Sequence, residues 1–247
     1  MIEINQLYKS FGKLNVLHGV DLTLCDGEIL TVFGKSGVGK TVLIKAIIGL
    51  IEPDSGSISI DGVDVTNFSE KQFNEKVRPH ISFVFQDGAL WDSMTVGANI
   101  ELALHAQDHI SEAERRSRIQ ESLRLVDLSG AEDVYPDELS GGMLKRAAIA
   151  RAIATRPRYL LYDEPTTGLD PILTNVIYDL IMHLNQKLGT TSLIISHDIS
   201  GMEKISNRVS LLHDGKVVLT CDTEDMWEQD NEIFNEFLNG KAYSHEE

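Results

Sequence analysis

The chain has 247 residues, with 22 Lys+Arg against 38 Asp+Glu for a formal net charge of −16, and is 42% hydrophobic and 24% charged. At ~150 residues per domain this is ~1.6 domains' worth of chain, one large unit or a core with a subdomain, and it can bury a sizeable core. Disorder is excluded; so is a disulfide scaffold, since Cys25 and Cys221 are the only cysteines; and so is a protein whose main work is gripping nucleic-acid phosphates, which takes a basic stripe.

Two isolated thiols fit a reducing compartment, most simply the cytoplasm. The apolar stretch at 42–51 is broken by Lys45 and falls short of the ~20 residues of a membrane span. Met1-Ile2-Glu3-Ile4-Asn5 lacks the basic-then-apolar order of a signal peptide. A chain that neither spans a membrane nor is exported by the usual route is expected.

In chain order, the first ~30 residues and 55–65 read as short strands broken by turn dipeptides. Asp26-Gly27 and Asp61-Gly62 are hairpin-grade turns, so an antiparallel patch is expected near the N-terminus. Four short runs, 29–33, 81–85, 159–162 and 193–195, are apolar without alternation, as expected of parallel strands covered on both faces. Helical segments separate them. Leu173, Val176, Ile177, Leu180, Ile181, Leu184 and Leu188 make one apolar stripe at helical spacing, which packing explains. The pattern from 86 to 157 is mostly helical, and its charged stretch 111–124 reads as a solvated helix face. A hairpin at 209–220 around Asp214-Gly215 precedes a polar C-terminal helix, and 241–247 reads as a frayed tail. One unit over 1–247 is expected: an α/β core from 1–85 and 158–247, including the antiparallel patch, with a helical subdomain inserted at 86–157.

The chemistry starts at Gly34-Lys35-Ser36-Gly37-Val38-Gly39-Lys40-Thr41, which fits G-x-x-x-x-G-K-[ST] between a strand and a helix. Glycines let successive N–H groups curve around a phosphate, and the helix N-terminus adds positive potential. Lys40 would reach the β- and γ-phosphates and the Thr41 hydroxyl would ligate Mg²⁺. The run at 159–162 ends in Asp163-Glu164: the first carboxylate suits Mg²⁺, the second an attacking water. Gln86 and His197 gain meaning from position. Gly34, Gln86, Asp163 and His197 each lie just past one of the four apolar runs, and in an open parallel sheet the carboxyl ends share the ligand-binding edge. Four such residue types at four strand exits converge on one nucleotide site.

Leu139-Ser140-Gly141-Gly142-Met143, with Lys145-Arg146 and Ala150-Arg151-Ala152 beyond, resembles the signature motif of ATP-binding cassette (ABC) ATPases. Thr167-Gly168-Leu169-Asp170 resembles their D-loop, Ser196-His197-Asp198 their switch histidine, and Phe11-Gly12 the aromatic position that stacks on adenine. The resemblance covers essentially the whole chain. It implies an α/β P-loop NTPase with a RecA-like parallel-sheet core, an N-terminal antiparallel β subdomain and an inserted helical signature subdomain, acting on ATP with Mg²⁺. It implies catalytic roles for Glu164 as general base, His197, Gln86 and Lys40. Nucleotide contacts are implied for Phe11, residues 34–41, Ser140, Gly141, Gly142 and Asp170, and metal contacts for Thr41, Gln86 and Asp163. It further implies a head-to-tail homodimer in which Ser140 and Gly142 of one copy close on the γ-phosphate held by the other. Locally, Ser140 is also an ordinary helix N-cap.

The signature ends in Met143, where most of the superfamily has Gln, and the D-loop is Thr-Gly-Leu-Asp rather than Ser-Ala-Leu-Asp. Leu-Ser-Gly-Gly-Met before a basic pair, Phe85-Gln86-Asp87-Gly88-Ala89-Leu90, and Phe237-Leu238-Asn239-Gly240 resemble the branch that energises Mla/Mce-type phospholipid transport and maintains outer-membrane lipid asymmetry. That resemblance implies an integral-membrane permease docking near Gln86, with 89–96 in the contact, although Leu90 and Trp91 also suit plain core packing. It implies a lipid-binding MCE-type subunit and a place on the inner face of the cell membrane. Two alternatives stay open: a cell-division ATPase acting through a membrane partner, and a soluble iron–sulfur scaffold ATPase.

Overall fold

Apolar periodicity sorts the chain into two sheets, one open to solvent on a face and one covered on both. The computed structural model describes residues 1–105, 107 and 110–240, so the expectation for 241–247 lies outside the described residues. Strands β1 (Ile2–Phe11) and β2 (Leu14–Leu24) precede β3 (Ile29–Phe33) and helix α1 (Lys40–Ile47). Strands β4 (Ser55–Ile60) and β5 (Val63–Asp64), helix α2 (Glu70–Lys76) and strand β6 (Ile81–Val84) follow. Three helices, α3 (Val96–Leu104), α4 (Glu112–Leu125) and α5 (Gly141–Ala154), come next. Then β7 (Tyr159–Asp163), α6 (Pro171–Leu188), β8 (Thr191–Ile195), α7 (Ile199–Ile205), β9 (Arg208–His213), β10 (Lys216–Asp222) and α8 (Glu232–Leu238) complete the described order.

The antiparallel sheet runs β2-β1-β4-β5, and the larger sheet β10-β9-β3-β8-β7-β6. Strands β9, β3, β8, β7 and β6 are parallel, and only β10 runs against them. Their register, with Val84 opposite Tyr162, Asp163 opposite Ile195 and Val32 opposite Ile195, brings the carboxyl ends to one edge. Strands β3, β7 and β8 are buried throughout, as their unbroken apolar runs require. Strand β6 stands at the sheet edge, and there Ser82 and Phe83 are only half-buried.

Alternation along the strands divides the interior in two. Tyr159, Leu161, Leu193 and Ile195 face a core shared with α1 and the antiparallel sheet. Leu160, Tyr162 and Ile194 face a second core. That core continues through Ile100, Leu123 and Ala147 of the helices between β6 and β7. Helix α4 shows the solvated charged face expected of it: Ser111 caps it by accepting from the Glu114 amide at 3.2 Å, and only Ser122 and Leu123 are buried.

Two expectations are corrected. Asp26-Gly27 closes no hairpin; it passes the chain from β2 in one sheet to β3 in the other. The hairpin lies at Gly12-Lys13, with Phe11 opposite Leu14, whereas Asp61-Gly62 does close a two-residue hairpin between Ile60 and Val63. Packing also does not account for the whole α6 stripe. Val176 and Leu188 are exposed, while Ile177, Ile181, Leu184 and the unpredicted Tyr178 turn inward.

Tyr162 is fully buried, and among the described residues its hydroxyl has no hydrogen-bond partner. An unsatisfied buried hydroxyl costs about 1–3 kcal/mol. Tyr162→Phe is therefore expected to raise the melting temperature, by roughly 2–4 °C per kcal/mol for a chain of this size. Calorimetry checks this, and a lower melting temperature would show that the hydroxyl is satisfied.

Candidate active site

At the carboxyl edge of the larger sheet lies a cleft of 680 Å³. Phe11, Leu14 and Val16 form one wall; Ser36, Gly37, Gly39, Lys40, Thr41 and Val42 its floor; and Gln86, Glu164, Thr167 and His197 its far side. The floor is the glycine-rich turn between β3 and α1. Gly39 caps α1 at φ 105°, and a Cβ there would stand 2.9 Å from Leu17 Cδ2, so both backbone and space demand glycine. This leaves the first N–H groups of α1 without helical acceptors, a ready anion cradle.

Lys40 is 7% exposed. Its ammonium donates to the carbonyls of Gly34 at 2.6 Å and Lys35 at 3.0 Å, and lies 3.7 Å from Glu164 Oε1. Burial pulls its pKa below the ordinary lysine value, against the opposing pull of Glu164 and Asp163. The Thr41 hydroxyl donates to Asp163 Oδ1 at 3.2 Å, so two hard oxygen donors meet beside the loop. Among the described residues no group of three or more His, Cys, Asp or Glu side chains could hold a metal by itself. The Thr41 and Asp163 oxygens fit Mg²⁺, which takes one or two protein oxygens and completes its shell with phosphate and water.

Glu164, the first residue past β7, has φ 49°, a left-handed value unusual outside glycine. Its Oε2 lies 2.7 Å from His197 Nδ1 and accepts from the Thr167 hydroxyl at 3.4 Å. Thus Glu164 is held between Lys40 on one oxygen and His197 on the other. Gln86 is exposed two residues beyond β6, and its turn is gripped from α5. The buried Lys145 ammonium donates to the Gln86 carbonyl, and Arg151 donates to Gly88 O at 2.8 Å and Ala89 O at 2.5 Å. Burial depresses the pKa of both cations. Beyond this turn Leu90 packs against the core, whereas Trp91 is 61% exposed.

Of the sequence candidates, Phe11, Ser36, Gly37, Gly39, Lys40, Thr41, Gln86, Glu164 and His197 line the cleft. Asp163 reaches it through Thr41, Gly34 and Lys35 through their carbonyls to Lys40, and Val38 packs on the core below. Ser140, Gly141, Gly142 and Asp170 are not brought to it. Ser140 caps α5, accepting from the Met143 amide at 3.4 Å, and the Asp170 carboxylate caps α6 through the amides of Ile172 and Leu173. Gly141 and Gly142 face Leu169 and Leu173. Sequence reasoning missed Leu14, Val16 and Thr167 in the cleft and the Lys145 and Arg151 grip. A cation within an alanine-rich helical run, as at Ala150-Arg151-Ala152, was the available signal for the last.

A phosphate-binding loop, a carboxylate pair and a histidine at the carboxyl edge of a parallel sheet define a P-loop nucleoside triphosphatase. The sequence profile of the family described as ABC transporter matches residues 17–167. The chain is 39% identical over 240 residues to the probable ribonucleotide transport ATP-binding protein mkl of Mycobacterium tuberculosis (strain ATCC 25618 / H37Rv), covering 97% of this chain and 67% of that one. It is 38% identical over 231 residues to the Fe(3+) ions import ATP-binding protein FbpC of Pasteurella multocida (strain Pm70), covering 94% and 64%. It thus spans about two thirds of these curated relatives. Among solved structures, cbiO1 from Clostridium perfringens, part of the ABC transporter complex cbiONQ, gives a TM-score of 0.84 at 28% identity over 96% of this chain and 94% of that one. A dimeric post-hydrolysis state of the ATP-binding cassette MJ0796 with ADP and Pi gives 0.82 at 31%, over 90% and 99%. The chain belongs to the ABC transporter family, and it is an ATP-binding, ATP-hydrolysing cassette.

Burial, opposed by the Thr41 hydroxyl, raises the Asp163 pKa above its ordinary 3.8. A raised carboxylate pKa favours the folded state only while the proton is on, so stability falls as pH rises through the folded value. Without nucleotide the native chain is therefore expected to lose stability against Asp163→Asn over that window, as measured by denaturant titration at a series of pH values. Parallel curves for the two proteins would refute the shift.

Proposed function

We propose that this chain is the cytoplasmic ATPase subunit of a membrane transporter, working as a homodimer on the inner face of the cell membrane, and that the cargo is phospholipid of the Mla/Mce type. The observation that carries the ATPase reading is the Lys40–Glu164–His197 chain of contacts beside the Thr41–Asp163 pair. Lys40 would leave the Gly34 and Lys35 carbonyls for the β- and γ-phosphates. Thr41 and Asp163 would hold Mg²⁺, whose charge offsets that of the phosphates. Lys40 drawn to phosphate frees Glu164 Oε1 to take the proton of a water attacking the γ-phosphorus, as ADP leaves. His197 steadies the other carboxylate oxygen, and Gln86 would complete the metal and water side.

Head-to-tail pairing is supported by what one chain leaves unfinished. The α5 N-terminus, capped by Ser140 and carrying Gly141 and Gly142, lies outside the cleft of its own chain, and the MJ0796 structure is dimeric. The segment 86–157 is then a lever: α5 carries the signature at one end and grips the Gln86 turn along its length. A permease near that turn would find Trp91 exposed. No helix among the described residues is long and apolar enough to cross a membrane. The lipid reading rests on Met143, the Phe85–Leu90 segment and Phe237-Leu238-Asn239-Gly240, and it differs from the ribonucleotide and iron cargoes in the relatives' names.

Lys40→Ala is expected to abolish nucleotide use. Glu164→Gln should bind ATP, turn over roughly 10²–10⁴ times more slowly, and accumulate as a dimer by light scattering. Undiminished turnover, or a strictly monomeric profile with ATP, would refute the site or the pairing.

The cargo is tested by retrieving Glu164→Gln with ATP from gently solubilised native membranes and identifying retained proteins and lipids by mass spectrometry. A multi-span permease with a lipid-binding MCE-type subunit and bound phospholipid is expected. Division-machinery partners without lipid, or only soluble partners, would overturn the transport reading and leave the ATPase chemistry standing.

A further inference from the structure

Tyr178 sits in the second turn of α6 with its side chain 1% exposed, and its phenol reaches two loops at once. The hydroxyl donates to Asp198 Oδ2 at 2.8 Å and lies 2.9 Å from the Thr166 hydroxyl. A phenol has one proton, and Asp198 takes it, so Thr166 is the donor in the second bond. Burial, with the Asp198 carboxylate adding to it, pushes the phenol pKa well above its ordinary value, so the donor proton stays in place. Thr166 is two residues past Glu164, and Asp198 follows His197 directly. With the 2.7 Å contact between Glu164 and His197, the bonds close a ring: Glu164, Thr166, Tyr178, Asp198, His197. Asp198 Oδ1 also accepts from the Gly201 amide at 3.1 Å, tying the ring to α7. At Gly201 a Cβ would stand 1.9 Å from Tyr178 Cε2, so the aromatic ring occupies space that only glycine leaves open.

We propose that Tyr178 is a positioning residue for ATP hydrolysis, its hydroxyl locking the loop after β7 to the loop after β8 so that Glu164 and His197 keep their mutual geometry. This rests on the reading of Glu164 as the base and His197 as its support. A phenylalanine would fill nearly the same core volume; only a hydroxyl at this depth bonds both loops. Movement in the 166–170 segment is thereby transmitted to His197 without passing through the nucleotide.

The test uses the full-length chain. Tyr178→Phe keeps the ring and removes the link, and Thr166→Val removes the other hydroxyl at nearly constant volume. Each is expected to lower kcat roughly 10- to 100-fold, the scale of a misplaced catalytic group. The KM for ATP should stay within about twofold, because phosphate and base contacts are untouched. The double variant should fall no further than the worse single one, since both cut one connection. Unchanged kcat in either folded variant, losses that multiply, or a rise in KM with kcat intact would overturn the proposal. If Tyr178→Phe does not fold, the kcat of Thr166→Val decides. Glu164→Gln run alongside separates the two readings: retained turnover there refutes the base assignment, whereas its loss beside an unaffected Tyr178→Phe refutes only the inference.

Discussion

A lysine ammonium removed from water must be paid for locally, and the cleft is arranged around that requirement at Lys40. Two loop carbonyls and one carboxylate, Gly34 O, Lys35 O and Glu164, offset its burial. None is a full partner: the carbonyls are neutral, and the carboxylate stands at 3.7 Å and is shared with His197. A phosphate offers what this environment lacks, a dense negative charge with several acceptor oxygens. On the proposed reading, nucleotide binding would exchange an imperfect set of contacts for a better one, and the same exchange would release the Glu164 carboxylate. Substrate binding and activation of the base would then be two sides of one ion-pair rearrangement.

The sheet turns that local arrangement into a machine part. Parallel pairing puts the ends of β3, β6, β7 and β8 on one edge, so residues far apart in sequence share a cleft only a few strands wide. Its two faces bury separate cores. One ties the cleft floor to the antiparallel sheet; the other ties the sheet to α3, α4 and α5. Lys145 and Arg151 then fasten the Gln86 turn to α5 by gripping backbone carbonyls, a hold that does not depend on which side chains the turn carries.

What could be read from the sequence was what is decided locally. The phosphate loop follows from glycine spacing between a strand and a helix, and the central strands follow from apolar runs that only two covered faces tolerate. Asp163, Glu164, Gln86 and His197 were legible because strand exits in a parallel sheet share an edge. Asp26-Gly27 misled because its dipeptide suits a turn but cannot reveal whether the next strand pairs with the last one. Gly12-Lys13 is harder to read because it lacks the Asn-Gly or Asp-Gly order of a strong hairpin signal and β2 opens on exposed Leu14. Arg151, Lys145 and Tyr178 were invisible in their roles, since a cation or a phenol on a helix acquires meaning only when tertiary packing names what it faces. Ser140 and Asp170 show the converse: both do local capping work that would account for them fully if the chain acted alone.

The wall formed by Phe11, Leu14 and Val16 has a consequence for which triphosphate the cleft accepts. Phe11 is 48% and Leu14 66% exposed, a broad apolar surface whose side chains hold no donor or acceptor. Stacking on such a surface is tolerant of base identity, because every purine presents the same kind of π-face. If the base stacks there as the resemblance implies, the wall would supply grip without a code. Phe11, Leu14 and Val16 thus offer the cleft apolar contact without side-chain hydrogen bonds of their own.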